Sequence, residues 1–143
     1  MSQIHGYYLE DLEIGQTASL TRTVTEEAIE QFAEISGDTN PLHLDEDYAR
    51  TTPFAGRIAH GALSASYISA VLGTDLPGPG CIYLSKSLRF RAPVRIGDEV
   101  TARVTVKAIN LEKRRVTFDC VCEVGGKVVL DGEALIMVDS RNG

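Results

Sequence analysis

Asp38, Asn40 and His43 share one short loop, Gly37-Asp38-Thr39-Asn40-Pro41-Leu42-His43. A carboxylate and an imidazole held that close can position a water molecule and exchange protons with it, since imidazole titrates near neutral pH. The same residue types also build turns. Asp38 can cap backbone N–H groups after a helix while His43 serves as a satisfied polar side chain, and spacing alone leaves both roles open. A metal set of His43, Asp45 and Asp47 is set aside. The acids suit the first turn of a following helix, and neither a Cys nor a second His stands at a ligand spacing.

His60-Gly61 opens an apolar run, Gly61 to Leu72. Free N–H groups at a helix N-terminus stabilise negative charge, and a glycine lets an atom approach the backbone, so the pair suits an oxyanion; close packing is the alternative role. Ser64, Ser66 and Ser69 lie on this run, but Gly61-Ala62-Leu63-Ser64-Ala65 lacks the G-x-S-x-G elbow of a serine nucleophile. Lys86, Arg89, Arg91 and Arg95 form a basic cluster that suits either phosphate groups or a charged strand edge. Neither G-x-x-x-x-G-K-[ST] nor G-x-G-x-x-G occurs, so the nucleotide sites those motifs build have no support.

These groups need elements to hold them. Thr17 to Val24 alternates as a half-buried strand. A helix is predicted next, with Thr23 and Glu26 as a capping box, Ile29, Phe32 and Ala33 on one face, and Gly37 at its end. The Asp38–His43 loop and a helical turn or two over Asp45 to Arg50 follow. The second helix, Gly61 to Leu72, ends at Gly73 and carries so few charges that other elements must enclose it. After Pro77-Gly78-Pro79-Gly80 the period becomes two: four strands, with Lys86 marking a bulge in the first and Gly125-Gly126 turning a hairpin. Segregated helices and hairpin-linked strands predict an α+β fold on an antiparallel sheet.

The chain has 143 residues, 20 acidic against 14 basic, with 43% hydrophobic residues, the composition of one globular domain spanning 1–143. A net charge of −6 argues against nucleic acid as the main partner. Neither a signal segment nor a membrane span is expected, and the three cysteines suit a reducing, cytoplasmic setting.

The run Ile35-Ser36-Gly37-Asp38-Thr39-Asn40-Pro41-Leu42-His43, followed by Ala49, resembles the hydratase-2 signature of MaoC-like (R)-specific enoyl-CoA hydratases. The resemblance extends through Arg57 to Gly61, Leu76 to Gly80, Ile82 to Pro93 and Gly97 to Val100. It implies a hot-dog fold, a long central helix wrapped by an antiparallel sheet, assembled as a homodimer. It also implies that Asp38 and His43 activate water for addition to carbon 3 of a trans-2-enoyl thioester, with Gly61 N–H at the thioester oxygen. Asn40 would shape the loop and Ser69 lie near the water. Leu72 and Leu135 would line an acyl pocket suited to short chains, and Lys86, Arg89, Arg91 and Arg95 would meet the coenzyme A phosphates. Coenzyme A enters as part of the substrate, with no metal or redox cofactor implied, and supply of polyhydroxyalkanoate precursors is the implied setting. A hot-dog thioesterase and a non-catalytic acyl-CoA-binding module are the alternatives.

Overall fold

The computed structural model describes residues 4–142. Strand β1, Thr17–Thr23, leads to helix α1, Glu26–Ser36. The cap of α1 is Thr25, whose Oγ1 accepts the Ala28 N–H at 3.0 Å. Thr23, expected in that role, is instead held in the sheet ladder opposite Glu99. Gly37 ends α1 as expected, with φ at 81° and its N–H on the Ala33 carbonyl. The stretch read as a loop contains a short helix, α2, Pro41–Leu44, ahead of α3, Glu46–Arg50.

Helix α4 spans Gly61–Thr74 and runs straight through Gly73, which was expected to stop it. The helical ladder continues past that residue, with the Asp75 N–H still bonded to the Val71 carbonyl at 2.9 Å. Four strands follow: β2, Ile82–Phe90; β3, Glu99–Asn110; β4, Arg115–Val124; and β5, Lys127–Met137. Their order is β1-β3-β4-β5-β2, every neighbouring pair antiparallel. Gly125 and Gly126 both take positive φ in the β4–β5 turn, the backbone a two-residue hairpin demands.

The sheet wraps α4 in a hot-dog arrangement. Val100, Ala102, Val104 and Val106 of β3 and Val116, Phe118, Cys120 and Cys122 of β4 are buried in one cluster with Leu63, Ile68, Val71 and Leu72 of α4. Strand β2 departs from simple alternation. Its bulge lies between Tyr83 and Ser85, ahead of Lys86, and shifts the phase of everything after it. Ile82 pairs opposite Met137 on one face, whereas Lys86, Leu88 and Phe90 pair with Ala134, Gly132 and Leu130 on the other. Lys86 therefore shares the α4-facing side with apolar residues, as its position in the alternation suggested.

All three cysteines are free, and burial pushes the Cys120 and Cys122 thiols up to about 12, against 9.0 for an exposed thiol. Between those two values an unfolded chain releases protons that the folded chain keeps, so raising the pH favours unfolding there. Stability to urea, intact below pH 9.0, is expected to decline as the pH climbs from that value toward about 12. The double variant C120A/C122A should decline less steeply; parallel slopes in urea titrations at about pH 8 and about pH 10.5 would refute this.

Candidate active site

The Asp38–His43 loop is built from its own side chains. The Asp38 N–H bonds Ser36 Oγ at 3.1 Å, and Asp38 Oδ1 accepts the Asn40 N–H at 3.2 Å. Asn40 Oδ1 accepts the Leu42 N–H at 3.0 Å, capping α2, and Pro41 pre-sets its first turn. That turn carries His43 into the protein, leaving it 8% exposed. His43 Nδ1 donates to the Ile58 carbonyl at 2.8 Å. A carbonyl only accepts, so Nδ1 holds a proton, and in the neutral ring the lone pair a general base requires is then on Nε2. Arg57 clamps the loop from behind, Nε donating to the His43 carbonyl and Nη1 to Glu26 of α1, each at 2.8 Å.

Asp38, His43 and His60 each bring a ligand-type atom within 4.8 Å of the other two. Such a trio invites a metal reading, but the imidazoles of His43 and His60 are stacked, centroids 3.9 Å apart and planes 27° from parallel. Nitrogen lone pairs lie in the ring planes, so those of stacked rings run side by side and do not converge on a tetrahedral point. The acid-rich set His43, Asp45 and Asp47 is also ordinary structure: Asp45 caps α3 through the Tyr48 N–H.

His43 and His60 border a cavity of about 550 Å³ together with Gly61, Ala62 and Ser64 at the start of α4. Among the described residues, neither the Gly61 nor the Ala62 N–H has an acceptor. The Phe90 ring lies against Gly61, and a Cβ there would come 2.6 Å from Phe90 Cε1. Phe54, Phe90, Val129 and Leu130 contribute apolar walls. Phe54 is held by its own carbonyl, which accepts from Arg95 Nη2 at 2.6 Å. The arrangement is a carboxylate and an imidazole, groups able to exchange protons with a water molecule, near a helix N-terminus able to take negative charge at the edge of an apolar cavity.

Residues 11–126 match the family described as MaoC like domain. The chain belongs to the MaoC-like family. It is 60% identical over 135 residues to an (R)-specific enoyl-CoA hydratase of Rhodospirillum rubrum, 94% of each chain being covered. Among solved structures it is similar to the unliganded R-hydratase PhaJ1 of Pseudomonas aeruginosa, with a TM-score of 0.89 and 45% identity over 98% of this chain and 90% of that one. The (R)-hydratase of Aeromonas caviae involved in polyhydroxyalkanoate biosynthesis aligns with a TM-score of 0.87 and 44% identity, covering 90% and 98% respectively.

Several residues carried over from the MaoC-like resemblance do not line this cavity within one chain. Ser69 is two turns beyond Gly61 on α4, about 12 Å along the axis, and lines a separate groove with Ser66, Tyr83 and Lys86. The serine that reaches the cavity is Ser64, buried, with an unpartnered Oγ. Leu72 is packed in the core at 1% exposure, and Leu135 pairs opposite Ser85 and Thr117, on the sheet face away from α4. Neither borders the cavity. The four basic residues do not gather either, because strand alternation and the chain's turn past Phe90 send them apart. Lys86 faces the α4 groove, Arg89 the outer sheet face beside Arg91, which pairs with Asp131 at 3.2 Å, and Arg95 braces Phe54.

His60 and Arg57 were given no positioning role from sequence, where His60 entered only beside Gly61 at the oxyanion site, and Ser64, Phe54 and Phe90 were given no site role. The first two lie inside the run Arg57 to Gly61 that carried the resemblance, a signal that was available. An orphaned hydroxyl or a ring over a glycine has no one-dimensional mark. Asn40→Ala should cost about 1 kcal/mol of stability, the usual worth of a helix N-cap, while Asn40→Ser retains most of it. Chemical denaturation of the two variants checks this.

Proposed function

We propose that this chain adds water reversibly and R-specifically across the double bond of trans-2-enoyl-CoA, giving (R)-3-hydroxyacyl-CoA. The observation that carries the proposal is that His43 and Gly61, whose N–H is unpaired among the described residues, border one apolar cavity, with Asp38 bringing a carboxylate oxygen within 4.8 Å of an imidazole nitrogen of His43. The names of the relatives described above support it. Water held between Asp38 and His43 attacks carbon 3 and gives up a proton to the pair. The electrons move to the thioester oxygen, where the Gly61 N–H meets the charge, and carbon 2 takes a proton from the acid form of the pair. The net change is addition of one water, which needs no electron carrier, and coenzyme A takes part as a portion of the substrate.

The functional unit is proposed to be a homodimer of 15.5 kDa chains. Strand β2 is an edge with Ile82 and Leu84 exposed, and α4 leaves Ala62, Ser66, Ser69 and Gly73 open alongside it. A second copy laid against both would cover the apolar edge and close the α4 groove. A place in the reducing cytoplasm, supported by three unpaired thiols, and a role in polyhydroxyalkanoate precursor supply belong to the same proposal. Among the described residues, no helix is long and apolar enough to cross a membrane.

Purified protein should bleach the enoyl-thioester absorbance of crotonyl-CoA without releasing free thiol. Thiol release would mark a thioesterase, and binding without turnover on any chain from C4 to C12 a non-catalytic module. Asp38→Asn and His43→Gln should each lower turnover at least about 10²-fold with folding preserved. Gly61→Ala should also lose turnover, since its methyl group meets the Phe90 ring beside the N–H.

A further inference from the structure

We infer that His60 is a positioning residue that locks the acid–base pair to the oxyanion donor; the inference rests on the hydratase reading above. His60 is 2% exposed and immediately precedes Gly61. Its Nε2 donates to the backbone carbonyl of Asp38 at 2.9 Å, and its ring stacks on that of His43. The Phe32 ring of α1 also lies against His60, centroids 4.9 Å apart and planes tilted by 52°.

The loop's other hydrogen bonds show why this contact matters. Asp38 bonds Ser36 and Asn40, Thr39 bonds Gly37, and Asn40 bonds Leu42, all within the same stretch of chain. Among the described residues, the bond from His60 is the one that fastens Asp38 to a distant part of the fold. The Ile58-Ala59-His60-Gly61 run then reads as a jig. The Ile58 carbonyl sets the His43 tautomer, and the Ala59 N–H anchors the run to the Val94 carbonyl at 2.7 Å. His60 fixes Asp38, and Gly61 offers its N–H to the cavity. Successive residues of a rigid extended segment thereby set the spacing between the group that moves the proton and the group that takes the charge. A misplacement of about 1 Å between such groups can cost about 10²-fold in rate.

His60 Nδ1 is buried without a partner, so the ring contributes through its Nε2–H and its flat faces. Two variants separate those contributions. His60→Phe keeps a flat ring and removes the donor; His60→Gln keeps an N–H donor of similar reach. With crotonyl-CoA, His60→Phe should lower kcat about 10- to 10²-fold with KM changed less than about threefold. His60→Gln should recover at least about a third of the wild-type kcat. In an Asp38→Asn background the phenylalanine substitution should cost little further, because its effect acts through Asp38. Wild-type kcat in His60→Phe, or full additivity with Asp38→Asn, would overturn the inference.

A measurement on the unaltered protein guards against a variant that fails to fold. Imidazole ¹⁵N shifts should show His60 as the Nε2–H tautomer, and an Nδ1–H tautomer would overturn the inference equally. Absence of hydration by the wild-type protein would instead remove the hydratase reading, leaving the tautomer result to stand by itself.

Discussion

Helix α4 carries no charged side chain over Gly61–Thr74, and Leu63, Ala65, Ile68, Val71 and Leu72 must leave water for it to be stable. Each large apolar side chain fully buried contributes about 1.5–3 kcal/mol relative to exposure. The sheet supplies the cover. Its inner face is a nearly unbroken set of Val, Ala, Cys and Phe on β3 and β4, small enough to bring the strands close to the helix. The ion pairs on the outer face, Arg103–Glu123 at 2.9 Å and Lys107 with Glu133, are partly exposed. Pairs of that kind contribute about 0–1 kcal/mol each, so the inner face decides the fold.

Enclosing α4 also decides where chemistry can occur. The helix start emerges at the rim of the sheet, beside the chain leaving β2 at Phe90 and the segment held by Val94. There, among the described residues, the Gly61 and Ala62 N–H groups have no acceptor, while at the other end the Val71 and Leu72 carbonyls are taken by Asp75, Leu76 and Gly78. The Asp38–His43 loop docks at the same rim through contacts to residues 57–60, largely backbone carbonyls accepting from side chains. A backbone carbonyl moves only with its element, which makes it a firmer reference for an imidazole than a mobile side chain would be.

The acidic balance takes on a local meaning. Of the four basic side chains read as a cluster, Arg91 engages Asp131 and Arg95 the Phe54 carbonyl, while Arg57, outside that cluster, holds the His43 carbonyl and Glu26. Each holds a piece of wall or loop in place. The exposed edge β2 and the open stripe of α4 lie side by side, so whatever covers one covers the other.

Much of this was legible in one dimension. Period-two patterns after Gly80 located four strands, Gly125-Gly126 their last turn, and the charge-free run after His60 the enclosed helix. The Asp-Asn-Pro-His spacing marked the loop, because turn chemistry is local and depends on neighbouring residues. Cap and end positions slipped at Thr23 and Gly73, where sheet pairing and an uninterrupted helical ladder overrode local preference. Lys86 and Arg89 could not be placed by spacing, since the face each presents depends on register and one bulge in β2 reverses it, and the surroundings of Ser69, Leu72, Leu135, Arg91 and Arg95 depend on how α4 and the sheet pack. The sequence by itself determined the two long helices, the five strands and the segment that carries Asp38, Asn40 and His43, though not the short helix inside it. Tertiary structure alone decided that His60 stacks on His43 and reaches Asp38, because those contacts join residues 17 and 22 positions apart that no local periodicity relates.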